Sequence, residues 1–180
     1  MTASAEQNRA LDQQIFDEWP VELRALFDGS ALASKVGFTA SLLTVDESGA
    51  HLRTSLLGIG ELYAPDSRTL CVALWPQSRA AQAIARSGRA ALTFVFDEAF
   101  YQIQLALAPL NADAVGLACF AGSIESGEAH RVRYARLTAG ITFDLEEGRD
   151  AVLERWTQQI AIPEESRRRR GGWQIAVGQV

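Results

Sequence analysis

The stretch Phe38-Thr39-Ala40-Ser41-Leu42-Leu43-Thr44-Val45-Asp46-Glu47-Ser48-Gly49 decides the fold class. Phe38 to Val45 mixes threonine with apolar residues, as a strand does, and Asp46-Glu47-Ser48-Gly49 supplies turn chemistry. The chain then returns through His51 to Tyr63, a long and partly alternating run. Arg53, Ser55, Leu57, Ile59 and Glu61 share one face of such a strand, and Leu52, Thr54, Leu56 and Leu62 the other. Ala64-Pro65-Asp66-Ser67 is a second turn, and Thr69 to Trp75 reads as a buried strand. Connections this short cannot cross over between parallel strands, so the three are expected to form an antiparallel meander.

Working outward towards the C-terminus, Ser78 to Arg86 reads as a short helix with Ser78 as its N-cap, ended by Ser87-Gly88. Strands resume at Ala90 to Phe96, Tyr101 to Ala108 and Val115 to Ile124. Leu137 to Leu145 favours strand. Asp150 to Ile160 is helical, with Val152, Leu153 and Trp156 on one side, and Trp173 to Val177 reads as a final strand. Towards the N-terminus, Leu11, Ile15 and Trp19 recur every four residues and predict a helix. Pro20 suits the first position of a second one, Pro20 to Phe27, ended by Asp28-Gly29. The class is therefore mainly β with flanking helices: N-terminal helices, six or seven antiparallel strands, and one C-terminal helix. So many strands in one flat sheet would leave long edges exposed, which predicts a closed or nearly closed barrel. Residues 1–30 read as an N-terminal helical extension and 31–180 as the barrel domain, within a single globular unit.

Composition agrees with this and excludes other classes. The chain has 180 residues, 48% hydrophobic and 22% charged, enough for one core without disulfides or a metal staple. Its net charge of −5 and the lack of aromatics interleaved with basic residues argue against nucleic-acid binding. No basic start leads into an apolar core at the N-terminus, and no apolar run is long enough to span a bilayer, so a cytoplasmic protein without membrane contact is expected. Cys71 and Cys119 lie apart in apolar stretches and read as small buried hydrophobes. His51 and His130 have no metal-ligand spacing with them, so no metal is expected. Gly58-Ile59-Gly60 lacks the third glycine of a dinucleotide fingerprint, and no G-x-S-x-G elbow occurs. Asp97, Glu98 and Glu128 read as loop carboxylates. Arg167 to Arg170 read as a solvated run.

Two segments point to chemistry. In Trp75-Pro76-Gln77-Ser78-Arg79 a strand ends and a helix begins with a hydroxyl and a guanidinium at its start. Free N–H groups there, together with Ser78 and Arg79, suit a phosphate; the plain alternative is a capping serine and a solvated arginine. In Arg53-Thr54-Ser55-Leu56 an arginine stands within a largely apolar strand and needs a partner, since an unpaired buried charge is costly. That partner is a ligand anion, or a carboxylate such as Glu61 if Arg53 lies at a sheet edge. If Arg53 lies on the strand beside the one ending at Trp75, both arginines and Ser78 converge on one dianion. Thr54 and Ser55 then line the groove, and Leu74 or Trp75 offers surface to a flat ring.

From Gly37 to about Ile124, these residues resemble the flavin-binding split barrels of the pyridoxamine 5′-phosphate oxidase superfamily. The likeness rests on Phe38 to Gly49 followed by Arg53-Thr54-Ser55-Leu56, on Leu70 to Leu74 leading into Ser78-Arg79-Ala80-Ala81-Gln82-Ala83-Ile84, and on Ala90 to Phe94. The resemblance implies an antiparallel split β-barrel, and a homodimer with FMN at the subunit interface. It implies that Arg53, Ser78 and Arg79 hold the FMN phosphate and that Thr54 and Ser55 meet the ring edge. It further implies that Gln102, with Gln104 as its rival, reaches the flavin, and that Trp173 lies near the ring from across the interface. The implied activity is flavin-dependent oxidoreduction of a small substrate, with an electron donor such as NAD(P)H. Tyr101, Gln102 and Arg136 are candidate substrate contacts, and no catalytic acid or base stands out. Gly58 and Ala80 stand where the oxidases carry basic residues, and the C-terminal arginine and histidine of those enzymes are missing. Pyridoxamine phosphate oxidation itself is therefore not expected. The alternative is a non-catalytic binder of a flavin, deazaflavin or heme on the same fold.

Overall fold

A computed structural model describes residues 11–49, 51–110, 116–146 and 148–170. Its strands are β1 (Leu11–Phe16), β2 (Thr39–Val45), β3 (Leu52–Gly58), β4 (Leu62–Tyr63), β5 (Thr69–Leu74), β6 (Arg89–Phe96), β7 (Ala99–Pro109) and β8 (Ala118–Val132). The helices are α1 (Val21–Leu26), α2 (Arg79–Ser87) and α3 (Arg149–Arg170). All strand pairs are antiparallel, in the order β3-β2-β6-β7-β8-β5-β4, with β1 added alongside β8.

The connectivity forces this sheet to curl. Laid flat, seven strands at about 4.8 Å spacing would put β3 and β4 roughly 29 Å apart. Yet only the 3₁₀ turn Ile59–Glu61 joins them, and four Cα steps reach about 14 Å at most. The two outer strands therefore meet at that end, giving the antiparallel split barrel.

The run His51 to Tyr63 is consequently not one strand, and the meander is broken. β3 pairs with β2 and lies at one edge, while β4 and β5 pair at the other. Glu61 sits where the chain switches edges. Its Oε2 accepts the Gly58 backbone N–H at 2.7 Å. Burial raises its pKa above the ordinary 4.5, against the opposing pull of that N–H and of the Arg155 guanidinium. A raised acid contributes stability that is complete below its unfolded value and is lost as pH rises through the folded one. Glu61→Gln removes that dependence. Urea midpoints of wild type minus E61Q are thus expected to fall as pH rises from 4 to 7; a flat difference contradicts the assignment.

The N-terminal segment corrects the expected helix at Leu11 to Trp19. β8 is long: β5 pairs with Thr69↔Ser123 to Leu74↔Ala118, which leaves the edge of Gly127 to Val132 open. β1 fills that edge, from Phe16↔Gly127 to Leu11↔Val132. Satisfying this row of backbone groups outweighs a local helical spacing. The expected helix at Pro20 to Phe27 is present as α1. Trp19, Leu23 and Phe27 are buried in the barrel core, so this segment plugs the barrel. Phe27 packs edge-on against Trp19, Phe38 and Phe94 at centroid distances of 5.4, 5.7 and 5.5 Å. Trp19 is tied down by Nε1–H donating to the Thr69 carbonyl at 3.0 Å.

Three other expectations need correction. β8 continues past Ile124 to Val132, so Glu128 lies on a strand. Residues 137–146 form no strand and are mostly exposed, with Phe143 edge-on to Trp156 at 6.3 Å. α3 carries on to Arg170, so the backbone of Arg167 to Arg170 is helical. The expected strand at Trp173 to Val177 lies outside the described residues.

Candidate functional site

α2 is built by its caps and its small residues. The Ser78 hydroxyl accepts the Ala81 N–H at 3.1 Å, and Gly88, at φ 65°, closes the other end. Ala80, Ala81, Ala83 and Ile84 form the buried face, small enough to let the helix sit close to the sheet. That leaves Arg79, Gln82 and Arg86 at positions i, i+3 and i+7, one stripe turned away from the core.

Against this stripe lies the β2–β3 turn. Together they enclose a cavity of about 360 Å³ lined by Asp46, Glu47, Ser48, Arg53, Arg79, Gln82, Ala83 and Arg86. Arg53 and Arg79 therefore share one hollow. They reach it by a different route from the one expected, since the strand of Arg53 is not beside β5. It is the docking of α2 over β2 and β3 that brings the two together. Arg53 is half-exposed at the sheet edge and pairs loosely with Asp46 at 3.6 Å, not with Glu61. Among the described residues Arg79 has no ion-pair partner. Arg86, which sequence reasoning missed, pairs with Glu47 at 2.7 Å. The i+7 step from Arg79 was the signal that could have found it.

Asp46 organises the turn. It accepts the Ser48 hydroxyl at 2.6 Å, and its other oxygen lies 3.2 Å from His51 Nδ1. The Ser48 hydrogen bond leads the interactions that draw its pKa down to about 2, with the His51 contacts adding to it against desolvation. Asp46 is therefore a carboxylate throughout the ordinary pH range and does not serve as a proton donor there.

The other expected site residues are distributed around this hollow. Leu74 is buried in the core, and Trp75 is exposed at the strand end. Thr54 is exposed and Ser55 half-buried on opposite faces of β3. The pairing registers place Leu56, Ser41, Thr93, Gln102 and Glu128 in one row across the outer sheet face. Thr54, Leu43, Ala91, Gln104 and Ser126 form the next row. Gln102 thus shares its row with Leu56, and its rival Gln104 shares one with Thr54. Val45, Leu52 and Leu56 stand exposed on the β2–β3 edge of that face, at 44%, 70% and 55%.

Two candidate substrate contacts are elsewhere. Tyr101 is buried and stacked on Phe94 at 5.2 Å, so it is a core residue. Arg136 pairs with Glu98 at 3.3 Å, at the two-residue β6–β7 turn. Both turn residues, Asp97 and Glu98, have positive φ, as a tight hairpin needs, and Arg131 braces them by donating to the Asp97 carbonyl. That turn lies at the end of β6 opposite α2, about 24 Å along the strand. Trp173 lies outside the described residues. Cys71 and Cys119 are buried and do not form a disulfide, and burial pushes the Cys119 thiol up to about 11. Among the described residues no group of three or more histidine, cysteine or acidic side chains is placed to hold a metal, and no helix is long and apolar enough to cross a membrane.

No protein-family model matches the chain. The uncharacterized Bacillus subtilis protein YclD is 29% identical over 141 residues, which span 75% of this chain and 88% of YclD. Solved structures similar in fold are pyridoxamine 5′-phosphate oxidase-like and FMN-binding proteins. A candidate pyridoxamine 5′-phosphate oxidase from Lactobacillus delbrueckii has a TM-score of 0.47 at 15% identity, covering 62% of this chain and 98% of its own. An FMN-binding protein from Syntrophomonas wolfei has a TM-score of 0.42 at 14% identity, covering 59% and 86%. These likenesses are of fold.

Proposed function

We propose that this chain is an FMN-binding flavoprotein that acts, as a homodimer, on a small organic substrate with NAD(P)H as electron donor. The observation that carries the reading is the convergence of Arg53 and Arg79 on one hollow alongside α2. The donor set fits a phosphate monoester. Guanidinium groups outnumber carboxylates by three to two among the lining residues, and forked N–H donors match phosphate oxygens. Ser78 caps α2 and, contrary to the expectation, is not among the residues that line the hollow. Across the β3 edge from the hollow, the outer sheet face that carries Thr54 supplies a surface of small and amide side chains for a planar ring, with Gln102 or Gln104 as donor to its polar edge.

A bound flavin supplies two-electron redox chemistry; the protein supplies orientation and the exclusion of water. Arg53 and Arg79 anchor the charged end. A second copy laid over Val45, Leu52 and Leu56 covers an apolar strand edge that is otherwise a hazard in water. It also closes the ring's surroundings. Light scattering is expected to return about twice the chain mass of 19.6 kDa; a monomer at micromolar concentration contradicts the dimer.

The test of function is reconstitution. Protein mixed with FMN and desalted is expected to retain a flavin absorbance band, and NAD(P)H to bleach it anaerobically. No retained band removes the flavin reading. Retention without reduction or turnover supports a second reading, a non-catalytic flavin binder.

A further inference from the structure

We infer that Arg86 is a third anion-binding residue of this hollow, and that Glu47 holds it as an internal counter-ion which an incoming phosphate displaces. The inference rests on reading the hollow as a phosphate site.

The two carboxylates of the β2–β3 turn are not equivalent. Asp46 is committed to the turn itself, through Ser48 and His51. Its contact with Arg53, at 3.6 Å, is the loosest it makes. Glu47 has one partner among the described residues, Arg86, on the far side of the hollow and 39 positions along the chain. Both ends are open to water, with Glu47 side-chain exposure at 77% and that of Arg86 at 45%. An ion pair this exposed adds little to stability and is cheaply exchanged. Its geometry has a consequence for binding, however. It draws Arg86 towards the mouth of the cavity that Arg53 and Arg79 also line, and keeps its charge neutralised until a stronger anion arrives.

Arg79 and Arg86 stand two helical turns apart, about 10.5 Å along the axis. A guanidinium swinging from Glu47 towards the hollow shortens that gap, and a dianion between them gains a second fork. The exchange forms one charge-assisted contact and breaks another, with Glu47 released to solvent. Removing the Glu47 charge frees Arg86 in advance.

The experiment is a double-mutant cycle read by calorimetric titration with inorganic phosphate, and in parallel with FMN. Both side chains are exposed, so the variants are expected to keep the wild-type Tm. Glu47→Gln is expected to tighten phosphate roughly three- to tenfold. Arg86→Ala is expected to weaken it by about tenfold. In the double variant E47Q/R86A the gain from E47Q is expected to vanish, because Glu47 acts through Arg86. An equal gain in both backgrounds overturns the inference, as does an unchanged affinity in R86A or an absence of phosphate binding in wild type and E47Q alike. If phosphate obeys the cycle but FMN does not bind, the cofactor reading fails and this one stands. If FMN binds through Arg53 and Arg79 while neither substitution matters, the reverse holds.

Discussion

Changing Arg53 and Arg79 together to alanine is expected to lower FMN affinity roughly a hundred- to ten-thousandfold, since hydrogen bonds to charged groups contribute about 1.5–3 kcal/mol each. Both side chains are exposed in the free protein, and Arg53 gives up only its loose contact with Asp46. The double variant is therefore expected to unfold within about 0.5 kcal/mol of wild type, as surface substitutions generally do. Fluorescence titration with FMN and a urea curve check both halves. Unchanged affinity would mean that the hollow beside α2 is not where the phosphate sits. A large loss of stability would mean that the arginines serve the fold instead.

The second large effect is expected at Gly122. It lies on β8 opposite Leu107 of β7. A Cβ added there would run into the Ala106 carbonyl oxygen and come within 2.8 Å of the Leu107 Cα. Both obstacles are backbone, so no side-chain rotation relieves the clash. Gly122→Ala is expected to cost roughly 3 kcal/mol, the upper part of the range for overpacking, read as a fall in the urea midpoint. It also threatens the β7–β8 register that places Gln102 opposite Glu128 on the outer face. A loss below about 0.5 kcal/mol, the scale of a neutral surface change, would contradict the close approach.

These two predictions also show where sequence reasoning reached and where it stopped. β2, β5, β6, β7 and α2 were legible because turn chemistry and caps bracket each of them. Asp46 to Gly49 and Ser78 with Gly88 are local signals, and local signals survive the loss of tertiary context. β1 was not legible. Leu11, Ile15 and Trp19 are spaced by four, an even number, so they align on one face of a strand as well as on one face of a helix. What settles the matter is the open edge of β8, more than a hundred positions away. The end of β8 was misplaced for a related reason. Glu125-Ser126-Gly127-Glu128 looks like a turn, yet Gly127 is there because a side chain would strike the Phe16 ring across the β1 pairing. β3 pairs with β2 as expected but not with β5, because barrel closure is a global property with no local residue signature. Arg53 and Arg79 were singled out by chemistry, and α2 packing, not strand adjacency, brings them to one cavity. Arg86 went unnoticed although its place on the α2 stripe follows from helical arithmetic.

The central claim is that a phosphate group, gripped from the β3 edge and from α2, governs ligand recognition. The most direct measurement is a side-by-side titration of the wild-type protein with FMN and with riboflavin, which differ by that phosphate alone. The account predicts FMN tighter by roughly a hundredfold, on the scale of two charge-assisted contacts, with a gap that narrows as salt rises. Equal affinities for the two, or binding of neither, would contradict it.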